Sequence, residues 1–139
     1  MAELAGRLRL ATTRLARRLR QEADAGLTPS QLSALAVVDH RGPLTLGALA
    51  EIEQVAPPSA TKVVAKLEAE GLVERTVDPT DRRFVLVAIT DAGRALMDRS
   101  RQRRTAWLAG RLHRLDPARQ ADLLAALDVL EELSLADAP

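Results

Sequence analysis

Apolar positions along the chain recur with two different periods, and the changes of period divide it into elements. Leu4, Leu8, Leu15 and Leu19 fall near helical spacing and predict a first helix over residues 3–25, stopped by Gly26. Thr28-Pro29-Ser30-Gln31 has the marks of a helix start. It offers a hydroxyl for the N-cap, a proline in the first turn where no N–H is needed, and a glutamine placed to close a capping box. The second helix is expected to bury Leu32, Leu35 and Ala36, with Val38, and to end near Arg41-Gly42-Pro43. Thr45 can cap a short third helix carrying Leu46, Leu49, Ala50 and Ile52. Pro57-Pro58 then breaks the chain and opens a fourth helix, which runs to about Glu70 with Gly71 as its C-terminal glycine.

The period then falls to two. Residues 72–77 and 84–89 are β-prone runs, and Asp78-Pro79-Thr80-Asp81-Arg82-Arg83 between them is turn-rich. That order predicts a hairpin with a long polar tip projecting from the body. Helical spacing returns afterwards. Thr90 can cap a fifth helix through Leu96, Met97, Trp107 and Leu108. Asp116-Pro117 can open a sixth with Leu123, Leu124, Leu127 and Leu130 on one face.

Composition changes this picture in three ways. Phe84 and Trp107 are the only aromatics, so the core must be built from Leu, Val, Ala and Ile. There is no cysteine, which removes disulfides, thiol redox sensing and cysteine zinc sites together. No run approaches the roughly 18 apolar residues of a membrane span. The arginine-bearing N-terminus lacks an apolar signal core, so a cytoplasmic protein without membrane partners is expected. An enzyme is not expected. His40 and His113 are the only histidines and fall in different helices, and there is no nucleophile motif, phosphate-cradling loop or metal-ligand cluster. No cofactor and no metal is called for.

Net charge is only +1, so a nucleic-acid surface would have to come from local placement. Residues 1–27 hold six arginines against three acids, while residues 28–95 hold seven basic and nine acidic residues. On a helical wheel Ala60, Val63, Val64 and Leu67 share one side of the fourth helix. Thr61, Lys62, Ala65, Lys66 and Ala69 share the other, with Ser59 at its edge; Lys62 and Lys66 are the only lysines in the chain. Hydroxyls, cations and small residues suit a helix that must enter a major groove about 12 Å wide. Directly after it, Arg82 and Arg83 sit on the hairpin tip, where guanidinium groups can reach a minor groove, with Asp81 close enough to orient one of them. Either feature alone is often just solvated surface; in immediate succession they describe a DNA-binding unit.

The fold class is therefore mainly α with a small β-hairpin wing: a winged helix-turn-helix with a helical dimerisation region. Residues 28–90 form the DNA-binding domain, and residues 1–27 with 91–139 form the dimerisation region, the two making one intertwined globular unit. The leucine stripes of the first, fifth and sixth helices exceed what a small winged core needs, so a second copy of the chain is the expected partner. The expected DNA-contacting set is Thr45, Pro58, Ser59, Thr61, Lys62, Lys66, Arg75, Arg82 and Arg83, with Asp81 orienting the wing. The rival from another class, a winged interaction module without DNA binding, is opposed by the presence of Lys62, Lys66, Arg82 and Arg83.

At this point the chain resembles the MarR family of bacterial regulators. The resemblance rests on Leu67-Glu68-Ala69-Glu70-Gly71-Leu72-Val73-Glu74-Arg75, on Asp78-Pro79-Thr80-Asp81-Arg82-Arg83, and on Ile89-Thr90-Asp91-Ala92-Gly93, where Ile89 replaces the usual leucine. Thr28-Pro29-Ser30-Gln31 and Leu46-Gly47-Ala48-Leu49-Ala50 also fit the family pattern. The resemblance implies a triangular dimer with the first, fifth and sixth helices at its apex and a recognition helix at about 58–70. It implies wing arginines in the minor groove and a pseudo-palindromic double-stranded operator. It further implies control of transcription, commonly repression, with release by a small aromatic acid or phenolic effector. The corresponding pocket would lie between apex and winged body, bounded by the first, second and fifth helices, where Arg14, Arg17 and Arg18 could grip a carboxylate.

Overall fold

Most helices in this protein begin where a side chain can receive the N–H groups that a first turn leaves without partners. The computed structural model describes residues 1–23 and 25–135. It contains α1 (Ala2–Glu22), α2 (Pro29–Arg41), β1 (Leu44–Thr45), α3 (Leu46–Glu53), α4 (Pro57–Ala69), β2 (Val73–Val77), β3 (Val85–Ile89), α5 (Asp91–Leu112) and α6 (Pro117–Leu135). Thr28 closes the expected capping box: its hydroxyl accepts from the Gln31 amide at 3.2 Å, and Gln31 Oε1 accepts from the Thr28 amide at 3.0 Å. Thr45 caps α3 through the Ala48 amide, Thr90 caps α5 through the Gly93 amide, and Asp116 Oδ1 accepts from the Arg119 amide at the start of α6.

The hairpin forms with β2 antiparallel to β3, Val73 opposite Ile89 and Val77 opposite Val85. A third strand was not anticipated. Leu44 and Thr45 pair with Val87 and Leu86, which places β3 in the middle of a sheet ordered β1-β3-β2. Two residues carry no readable period, so only the pairing reveals this strand. Both ends of the hairpin are shorter than the sequence runs. Phe84 stands just outside β3, although its carbonyl still accepts from the Asp78 amide at 2.9 Å. Leu72 bonds back to the Leu67 carbonyl, which ends α4, and Gly71 takes φ +73°, open to glycine at little cost.

The core is aliphatic, as expected from a chain with two aromatics. Leu35, Val38, Leu49, Val64, Leu67, Val73, Val87 and Met97 are buried, so α2, α3, α4, the sheet and the start of α5 share one interior. Some assignments shift. Leu32 and Ala36 are only half-buried on α2, where Ala34 joins Leu35 and Val38 inside, and Ile52 at the end of α3 faces solvent. The first helix stops at Glu22, with buried Ala23 as its C-cap. Position 24 of the expected first helix and positions 136–139 of the expected dimerisation region lie outside the described residues.

α5 runs away from the core, and α1 packs along it. Trp107 of α5 carries two guanidinium groups against its ring, Arg111 at 4.4 Å and Arg18 of α1 at 5.9 Å from the ring centre. Gln120 Nε2 donates to the Leu112 and Leu115 carbonyls and closes the turn into α6. Neither α1 nor α6 has a fully buried residue among those described. No helix of the described residues is long and apolar enough to cross a membrane.

Candidate nucleic-acid interface

α4 starts at Pro57 with Ala56 as N-cap, one residue ahead of the expected start. Ala56 offers no side-chain cap, but the two prolines have no amide hydrogens to satisfy. Ala60, Val64 and Leu67 are buried against α2 and α3, and Val63 is half-buried. That inward set turns Pro58, Ser59, Thr61, Lys62, Ala65, Lys66 and Ala69 to solvent. Neither lysine forms an ion pair among the described residues, so both charges stand unopposed on this face. The Thr61 hydroxyl donates to the Pro57 carbonyl at 3.0 Å and keeps its lone pairs for a donor outside the helix. Thr45 is half-buried and its oxygen serves α3, which leaves its hydroxyl hydrogen as what it can offer a phosphate.

The wing tip is built by two aspartates. Asp78 Oδ1 accepts from the Thr80 amide at 2.8 Å and from the Thr80 hydroxyl at 2.7 Å. Asp81 takes Arg83 in a two-pronged grip, Oδ1 to Nε at 3.0 Å and Oδ2 to Nη2 at 2.7 Å, and also accepts from the Arg83 amide at 3.1 Å. The Thr80 hydroxyl bond, and then its amide bond, hold the Asp78 carboxyl below its ordinary range. The Arg83 guanidinium does the same for Asp81, and Asp81 in turn raises Arg83. So the residue that Asp81 orients is Arg83. Arg82 is exposed with no ion pair among the described residues, and it lines a groove on the tip with Val77, Asp78 and Pro79.

Arg75 is placed differently from the other expected contacts. Its Nε meets Glu68 Oε2 at 3.1 Å, which joins β2 to the last turns of α4. Glu68 was missed as a partner because six residues separate the two across a turn, where no helical or strand spacing pairs them.

Between α1, α2 and α5 lies an open cleft of about 700 Å³. Its lining includes the apolar Leu27, Leu32, Ala36 and Met97 and the cationic Arg17, Arg20 and Arg104. Of the arginines expected there, Arg17 is present, Arg18 is turned onto Trp107, and Arg14 is exposed and lines no part of the cleft. Arg20 and Arg104 were missed. Arg20 belongs to the same arginine-rich run, whereas Arg104 comes from a helix that only the fold brings near.

A three-helix body, a short helix leading into an exposed cationic helix, and a hairpin with a fixed basic tip define a winged helix-turn-helix protein. The comparisons narrow this. The MarR family model matches residues 27–85. The chain is 42% identical over 137 residues to an uncharacterised HTH-type transcriptional regulator of Mycobacterium bovis, covering 98% of this chain and 94% of that one. The crystal structure of a Thermotoga maritima transcriptional regulator superposes with a TM-score of 0.84 at 28% identity, over 96% of this chain and 94% of that one. Over 68 residues the chain is 37% identical to the transcriptional repressor MdtR of Bacillus subtilis, 49% of this chain and 44% of that one. The protein belongs to the MarR family: it is a DNA-binding transcriptional regulator of the helix-turn-helix type, not an enzyme.

Proposed function

We propose that this regulator is a homodimeric repressor that binds a pseudo-palindromic operator and leaves it when a small aromatic acid or phenol occupies the cleft between α1, α2 and α5. The observation that carries the DNA half is the exposed face of α4, with Ser59, Thr61, Lys62 and Lys66 open to solvent and the small residues Ala65 and Ala69 beside them. Small residues let the helix sit deep in a major groove, and the two lysines meet phosphates or guanine acceptors there. The wing flanks this helix and brings Arg82 and Arg83 to the adjacent minor groove. Repression is supported by the relative MdtR, which is a repressor.

Dimerisation is supported by what α1 and α6 leave uncovered. Leu4, Leu124 and Leu133 are each about three-fifths or more exposed, on helices that find no interior of their own in the protomer. A second copy related by a two-fold axis would cover these leucines and set two α4 helices about one turn of DNA apart. In the cleft, Arg17, Arg20 and Arg104 suit a carboxylate, and Leu27, Leu32 and Met97 suit an aromatic ring.

The test is the salt dependence of operator binding, on fragments first selected from a random DNA pool. Lys62→Ala with Lys66→Ala is expected to flatten the slope of log K against log salt by about one to two units per protomer. An unchanged slope in a folded variant would place this face away from DNA. Salicylate at millimolar concentration is expected to lower DNA affinity and raise the melting temperature of the free protein; if it does neither, the effector reading falls.

A further inference from the structure

The wing presents a third kind of chemistry beside its arginines and aspartates. In a chain that has two aromatic residues, Phe84 is 49% exposed next to Arg83. Val77 is 55% exposed and Val85 44%, and these two are cross-strand partners on the last rung of the hairpin. Three apolar side chains thus stand exposed at the distal end of the ribbon, Val77 and Val85 on one face and Phe84, the next position along the strand, on the other, whereas Val73 at the base and Val87 on the middle rung are buried. Scattered exposed leucines need no explanation, but apolar residues on both faces of a projecting hairpin's end do. Phe84 is also held in place. The Phe84 amide donates to the Asp81 carbonyl at 3.1 Å, and the Phe84 carbonyl accepts from the Asp78 amide at 2.9 Å, so the ring sits on the same frame that Asp81 uses to fix Arg83.

We infer that Phe84, with Val77 and Val85, is an apolar DNA contact that packs on the deoxyribose walls of the minor groove while the neighbouring arginines enter it. The occupant follows from position and charge. Arg82 and Arg83 commit this tip to a polyanion, and the surface of a nucleic acid that suits an aromatic ring without base reading is the C–H face of its sugars. Phe84 lies at the last backbone bond of the hairpin and not at its apex, so it flanks the groove instead of wedging between bases. The inference rests on the wing reaching DNA, as proposed above.

Two electrostatically silent substitutions test it. Phe84→Ala is expected to weaken operator binding about tenfold, the loss of roughly half a phenyl group's burial. Its salt slope should equal that of the unmodified protein, because no counterion is released by a phenyl ring. Arg82→Ala, measured alongside, should lower the slope by about one. Phe84→Leu keeps apolar bulk at the same site and should restore most of the affinity, which covers the case in which alanine loosens the tip. Alanine binding as tightly as phenylalanine would overturn the inference, and so would leucine binding as weakly as alanine. Sedimentation separates the remaining occupant: if Phe84→Ala weakens dimerisation, the tip meets a second copy and the inference is wrong. If the unmodified protein shows no salt-dependent DNA binding at all, the underlying DNA reading fails instead.

Discussion

Asp81 and Arg83 share their charge through two parallel hydrogen bonds, and this pairing responds to pH with a definite sign. Arg83 holds the Asp81 carboxyl below its ordinary value near 4. The order it gives the tip is therefore fully present above the unfolded carboxyl's pKa and is lost as pH falls through the lower, folded value. Between pH 5 and 8 the pair does not titrate, so the tip keeps one shape across that range. In a carbon-detected titration the Asp81 carboxyl should show a midpoint below the usual aspartate range, and Arg83→Ala should move it up. A midpoint that ignores the substitution would mean the guanidinium is not its partner. Sequence spacing put Asp81 within reach of both arginines and could not choose between them, because the choice depends on which residue the Asp78 and Thr80 turn brings round to face it.

At the scale of elements, the join between α4, the sheet and α5 depends on two residues of the Ile89-Thr90-Asp91-Ala92-Gly93 stretch. The Thr90 hydroxyl donates to the Gly71 carbonyl at 2.6 Å and also accepts from the Gly93 amide at 3.1 Å. Gly93 lies so close to the strand entry that an added Cβ would stand 2.1 Å from the Leu72 carbonyl oxygen. Gly93→Ala should therefore destabilise the fold by about 1–3 kcal/mol, since backbone must shift to admit the methyl group. Equal denaturant midpoints for the two proteins would contradict this close approach. A second join is the ion pair between Arg101 of α5 and Asp39 of α2; Arg101 also donates to Asp98 at 2.9 Å. The Asp39 side chain is only 11% exposed, so Arg101→Met strands a carboxylate with little water around it. A loss of about 1–3 kcal/mol is expected by chemical denaturation, and Asp39→Asn in the same background should recover part of it. Caps and turns were legible in the sequence because Thr28, Thr45, Thr90 and Asp116 act on amides three residues away. The Leu44–Thr45 strand and the Asp39–Arg101 pair were not, because each is defined by a partner more than forty residues distant.

For the whole molecule, α6 is the element that one chain alone does not explain. It is capped at Asp116 and tied to α5 through Gln120, yet it buries none of its residues. With α5 it forms an apolar groove of about 390 Å³ between Leu112, Leu123, Leu124 and Leu127. Deleting residues 117–139 should yield monomers that bind DNA poorly while the winged body keeps its far-UV signature. A truncated protein that still sediments as a dimer would move the interface elsewhere. The leucine stripe that predicted this helix was readable from spacing alone. That the winged core would leave the stripe uncovered was expected from the small size of that core; spacing alone could not say so, since an amphipathic period looks the same whether its cover is the same chain or another.

The near absence of aromatic residues also decides how this protein can be watched. The interior of the winged body contains neither tryptophan nor tyrosine, and the only indole, Trp107, sits at the far end of α5 against Arg18 and Arg111. Its fluorescence therefore reports the pairing of α1 with α5 and is blind to the winged body, whose melting must be followed by backbone circular dichroism. The indole is thus a local probe of one helix pair, whereas the dichroism sums over every helix of the chain. If the two melt together, the α1–α5 pair and the winged body form one cooperative unit; if the fluorescence changes first, the α1–α5 pair opens while the winged body remains folded.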